Sequence, residues 1–110
     1  MPTEETTICP MHSVMQVLGG KWKFAILYCL RDGTPKRFTV LQREIVGITA
    51  RMLIKELKSL DQHQLISRKA YPTVPPTVEY KLTAYGKTLV PMIGDLDGWG
   101  RKHATRLNKN

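Results

Sequence analysis

Apolar positions along the chain change their period several times, and each change marks an element. Between residues 38 and 65, Phe38, Leu41 and Ile45 fall at i, i+3 and i+7, the spacing of one helical face. Val46-Gly47-Ile48 breaks that face with a residue free to take positive φ, as a tight turn between helices requires. Thr49 then offers a side-chain oxygen to the first N–H groups of a second helix. In that helix Leu53, Leu57 and Leu60 form an apolar stripe, with Met52 and the following Leu65 also assigned to the core. Ala50, Arg51, Ile54, Lys55 and Lys58 lie towards the other side and include no acid. Two short helices joined by a glycine-containing turn make a helix-turn-helix, whose second helix can enter the DNA major groove.

The flanking segments extend this unit on both sides. Residues 1–8 read as a loose polar arm carrying Glu4 and Glu5. Pro10 suits the first turn of a helix, and Val14, Val17 and Leu18 give it an apolar stripe that ends at Gly19-Gly20. The run from Phe24 to Leu30 is apolar nearly all round and predicts a central core helix, with Cys29 a small buried hydrophobe within it. Asp32-Gly33-Thr34-Pro35 reads as a turn and Lys36-Arg37 as a stub of strand. After Leu65 the period shortens. Residues 65–71 and 77–82 predict two strands joined by the proline-stiffened stretch Thr73-Val74-Pro75-Pro76. A simple hairpin register sets Glu79 opposite Arg68 as a cross-strand pair. Thr83 caps a further helix with apolar Leu89, Met92 and Ile93, Pro91 marks a kink or a boundary, and Leu96 and Trp99 continue a face. A hairpin placed directly after a helix-turn-helix is the order of elements in a winged helix, an α+β fold.

Composition narrows the function. Lys plus Arg is 17 against 9 Asp plus Glu in 110 residues, a formal charge of +8. That excess favours a polyanionic partner, and nucleic acid before a membrane, because no stretch combines a basic face with a bulky apolar anchor. A basic protein with a merely solvated surface is the competing reading of charge alone. No apolar run approaches the length of a membrane span, and the first nine residues are acidic where a signal peptide is basic, so a cytoplasmic location is expected. His12, His63 and His103 stand at no spacing that makes a metal site or a nucleophile–base pair, and there is no glycine-rich phosphate loop, so neither an enzyme nor a cofactor is indicated.

Taken together, Cys9-Pro10, Gly19-Gly20-Lys21-Trp22, Arg37-Phe38, Gly47-Ile48, Leu57 and Leu60, Val74-Pro75-Pro76, Val78-Glu79-Tyr80, Leu82-Thr83, Gly86 and Trp99-Gly100 resemble the HxlR-type transcriptional regulators. These are winged helix-turn-helix proteins related to the MarR group. The resemblance runs from about Cys9 to Gly100. It implies one domain over residues 9–107, with residues 108–110 a tail, and a homodimer built from additional N- and C-terminal helices that binds double-stranded operator DNA. Val14, Leu18, Leu96 and Trp99 are the dimer-contact candidates, and Thr73, Val74, Pro75, Pro76 and Thr77 form the wing. Departures from the family pattern are the turn Gln62-His63-Gln64, where an acid or asparagine and then glycine are usual, Thr73 and Thr77 at the wing, and Ile54, where a small polar residue is common. If residue 64 takes positive φ, glutamine there carries strain of about 1 kcal/mol.

Base-edge contacts are expected from Thr49, Ala50, Arg51, Ile54 and Lys55, near the start of the recognition helix. Arg51 leads them because its fork can bond guanine O6 and N7 together. Ile54 either packs on a thymine methyl or faces the protein. Lys36, Arg37, Lys58 and Lys69 are candidate phosphate ligands, each equally readable as a solvated charge. Trp22 is readable as a pocket wall or as packing against the first helix. In some relatives a cysteine at the position of Cys9 senses electrophiles or oxidants. Here it precedes a helix start, which favours thiolate, while Glu4 and Glu5 oppose it; a structural or incidental thiol is the other reading. No operator or small-molecule effector is specified by these residues.

Overall fold

A computed structural model describes the protein over residues 10–108. The order is α1 (Pro10–Leu18), α2 (Lys23–Cys29), β1 (Lys36–Arg37), α3 (Phe38–Glu44), α4 (Ala50–Gln62), β2 (Ile66–Tyr71), β3 (Thr77–Leu82), a 3₁₀ turn (Gly86–Leu89) and α5 (Val90–Asn108). The strands form one antiparallel sheet in the order β1-β3-β2. This is a winged helix-turn-helix, as the pattern of elements predicts. Cys9 and the arm at residues 1–8 lie outside the described residues, as do Lys109 and Asn110 of the tail.

The core gathers around α2. Ile26, Leu27 and Leu30 are fully buried, together with Leu41 of α3 and Leu53, Leu57 and Leu60 of α4. Ile45 and Ile48 close the turn between α3 and α4, and Leu65, Ile66, Leu82 and Ile93 complete the cluster. Met52 is only partly buried at its edge. Cys29 is a correction to the expected full burial: it is half-buried, because it lies on the side of α2 that borders the core, next to Glu44 of α3, while Ile26 and Leu27 take the inward side. Trp22 is half-buried and reaches the helix-turn-helix, its Cη2 standing 3.7 Å from where a Cβ on Gly47 would lie. Gly47 itself has φ +91°.

The hairpin register differs by one residue from the simple expectation. Arg68 pairs with Tyr80, and Glu79 stands opposite Lys69 on one side and Arg37 on the other. The physical reason is the buried pair Ile66 and Leu82, which face each other in this register. A one-residue slip would set Ile66 opposite the exposed Lys81 and turn one strand's apolar side outward.

The junction between wing and helix-turn-helix is tightly built. Gln64 takes φ +64°, the strained conformation anticipated for it, and lets the Leu65 N–H donate to the Leu60 carbonyl at 3.0 Å. The Thr83 hydroxyl donates to the Gln64 carbonyl at 2.6 Å and accepts from the Gly86 N–H at 2.9 Å. A Cβ on Gly86 would lie 2.0 Å from the Leu65 carbonyl oxygen, so only glycine fits this backbone-to-backbone approach. Pro91 marks the boundary where the 3₁₀ turn gives way to α5. Because the obstructing atom is backbone, Gly86→Ala is expected to lower stability by about 2 kcal/mol. Urea denaturation checks this; an unchanged midpoint contradicts it.

Candidate nucleic-acid interface

Helix α4 owes its start to Thr49, whose Oγ1 accepts from the Met52 N–H at 3.1 Å while its own backbone stays extended. Its leucine stripe is buried against the core, so the opposite side is turned outward. Ala50, Arg51, Ile54, Lys55 and Lys58 are all exposed. Arg51, Ile54, Lys55, Lys58, Ser59 and Gln62 line one shallow open depression of about 460 Å³ with no acid in it. The expected base-reading residues therefore share one surface. Thr49 is the exception in kind, since its oxygen is already engaged as a cap.

A contact absent from the sequence reading holds this helix in place. Lys23 Nζ of α2 meets Glu56 Oε1 of α4 at 3.0 Å, with side chains only 13% and 14% exposed, and lies 3.4 Å from the Gly19 carbonyl. The signal was present in the pattern: Glu56 lies three residues after Leu53 and four before Leu60, so it flanks the buried stripe. Removing one partner strands a largely desolvated charge. Glu56→Gln is expected to cost about 1–3 kcal/mol in urea denaturation. Replacing both partners with apolar residues, as Lys23→Met with Glu56→Leu, should recover most of that loss.

The candidate phosphate ligands differ in their surroundings. Lys58 is exposed on α4 and Arg37 is exposed at the start of α3. Lys69 is exposed on β2, its ammonium 5.2 Å from the centre of the Tyr71 ring. Lys36 is engaged with Glu44 Oε1 at 2.6 Å, so its charge is already balanced. Arg37 and Lys69 fall in one row across the sheet with Glu79 between them. At the wing tip the Thr73 hydroxyl donates to the Pro75 carbonyl at 2.8 Å and lies 3.2 Å from the Thr77 hydroxyl, which holds Val74 out into solvent.

Helices α1 and α5 leave apolar side chains uncovered: Met11, Val14, Met15, Leu96, Trp99 and Leu107. Trp99 is 65% exposed and stacks on His103 with ring centres 4.9 Å apart. Leu18 is a correction among the dimer candidates: at 4% exposure it belongs to the protomer's own core. An apolar groove of about 310 Å³ runs between α1 and the C-terminal segment, lined by Val14, Val17, Leu65, Tyr85, Leu89 and Met92 among others. Among the described residues no helix is long and apolar enough to cross a membrane.

Burial pushes the Cys29 thiol up from its ordinary value of 9.0, and the negative charge of Glu44 pushes it further. The folded protein thus disfavours the thiolate, and the stability tied to this proton is lost as pH rises past 9.0. In a Cys9→Ser variant, Cys29 is the remaining cysteine. Ellman's reagent at pH 8 should modify it several-fold more slowly than the same thiol in urea, and equal rates would contradict the assignment.

A buried helix-turn-helix with a basic outer face, a two-stranded wing and flanking helices defines a winged-helix regulator. The HxlR-like helix-turn-helix family model matches residues 17–108, and the chain belongs to that family. It is 43% identical over 101 residues to the uncharacterised HTH-type transcriptional regulator YdeP of Bacillus subtilis (strain 168), covering 92% of this chain and 78% of that one. The oxidised form of the redox regulator HypR superposes with TM-score 0.80 at 40% identity, covering 86% of this chain and 96% of that one. Reduced YodB of B. subtilis, a transcriptional regulator, gives TM-score 0.70 at 34% identity, with coverage of 84% and 90%. The family is regulatory rather than catalytic.

Proposed function

We propose that this regulator binds double-stranded operator DNA as a cytoplasmic homodimer, inserting α4 of each protomer into the major groove. The observation that carries this reading is the outward face of α4: Arg51, Lys55 and Lys58 surround Ile54 without an acid, on a helix whose other side is locked to the core. Arg51 and Lys55 near the helix start take the base edges with Ala50 and Ile54. Lys58, Arg37 and Lys69 take phosphates, and the wing from Thr73 to Thr77 lies along the flanking groove. Lys36 contributes only if its pair with Glu44 opens. Residues 9–107 act as one unit between a short arm and a short tail. The uncovered apolar side chains of α1 and α5, Val14, Leu96 and Trp99 among them, meet those of the second copy.

Redox control through Cys9 is part of the proposal. The likeness to HypR, a redox regulator, supports it, as does the place of Cys9 in the sequence, one residue before Pro10 opens α1. Because Cys29 is half-buried within α2, the partner protomer's own Cys9 is the proposed resolving group.

Titration of the reduced protein with DNA from its own upstream region, across a salt series, tests the reading. Phosphate contacts predict a linear fall of log affinity with log salt, about 0.9 in slope for each contact. Arg51→Ala should weaken binding to the recovered site at least about tenfold and relax its sequence preference. A mild oxidant should abolish wild-type binding and spare Cys9→Ser. Binding indifferent to oxidant retains the regulator and removes the sensor. Salt-independent binding, or none to any duplex in a random pool, instead favours a winged helix used as a protein-interaction module.

A further inference from the structure

We infer that Ile54 reads a thymine methyl, so that each operator half-site contains a thymine one or two base pairs from the guanine read by Arg51. The inference rests on the operator-binding reading above and specifies which sequences satisfy it. Ile54 is 54% exposed and is the one large apolar side chain of α4 left outside the core. The protomer gives it no packing role, since Leu53, Leu57 and Leu60 already fill the buried stripe.

Its surroundings select the partner. Arg51, Lys55 and Lys58 lie with it in one acid-free depression. An apolar protein patch would desolvate the three cations and leave them without a counter-charge. The major groove instead offers phosphates and guanine edges to the cations, and one apolar group, the thymine C5-methyl, to the isoleucine. Position on the helix fits as well. Ile54 is in the second turn, among the residues near the N-terminus that reach base edges when a recognition helix is docked. Three residues along an α-helix rise about 4.5 Å, against about 3.4 Å per base pair, which sets the one-to-two-pair spacing from Arg51. Burying one methyl group is worth about fourfold in affinity, and about fifteenfold when both half-sites contribute.

The test begins by recovering bound sequences from a random duplex pool with the wild-type dimer. Each thymine of the recovered duplex is then replaced by deoxyuridine, which keeps the base pair and removes only the methyl. One thymine per half-site, next to or one pair beyond a guanine, should weaken wild-type binding about fourfold when replaced. Ile54→Ala should bind the thymine and uracil duplexes equally, at about the level of wild type on uracil. Because Ile54 is exposed, the variant should melt like wild type, which circular dichroism checks. Wild-type indifference to every replacement overturns the inference and leaves operator binding standing. An undiminished thymine preference in Ile54→Ala assigns the methyl to another residue and also overturns it. Recovery of no sequence at all overturns the operator-binding reading itself.

Discussion

Everything in this molecule depends on how one side of α4 is fastened, because a helix can present a face to a partner only if its other face cannot roll. Leu53, Leu57 and Leu60 are buried with Ile26 and Leu27 of α2 and Leu30 just beyond it, which fixes the helix radially. Apolar packing alone is non-directional and tolerates small rotations. The pair between Lys23 and Glu56, largely withdrawn from water, adds a directional contact at 3.0 Å between the same two helices. Thr49 fixes where the helix begins, and the Gln64 conformation with its Thr83 bond fixes where it ends. The outward residues are therefore presented in a set order on a rigid support.

That support also links the recognition helix to the wing. The Leu65 carbonyl accepts from the Thr83 N–H and stands against Gly86, so the end of α4, the base of the hairpin and the start of the C-terminal segment meet at one point.

Much of this was legible in the sequence because it follows from periodicity and local chemistry. The leucine stripe, the glycine turn with positive φ at Gly47, the Thr49 cap and even the strain at Gln64 are set by residues within a few positions of one another. What was not legible depends on distant partners. The hairpin register is decided by Ile66 meeting Leu82 in the core, and Glu79 therefore lies between Lys69 and Arg37 rather than opposite Arg68. The Lys23 and Glu56 pair and the Lys36 and Glu44 pair join residues 33 and 8 positions apart; the place of Glu56 beside the leucine stripe is legible, but the identity of each partner is not. Leu18 and Cys29 show the same limit: apolar residue type does not say whether a side chain completes the core or stops at its edge. Of the base-reading set, the structure places Ala50, Arg51, Ile54 and Lys55 on one exposed face, and its assignment to DNA stands as the proposal.

The proposed symmetric dimer sets two recognition helices on one face of a duplex. Hydroxyl-radical footprinting on the recovered DNA tests it most directly. The account predicts two related protected patches whose centres lie about one helical turn, 10–10.5 base pairs, or a whole multiple of it apart. A single protected patch, or two patches half a turn out of phase, would contradict it.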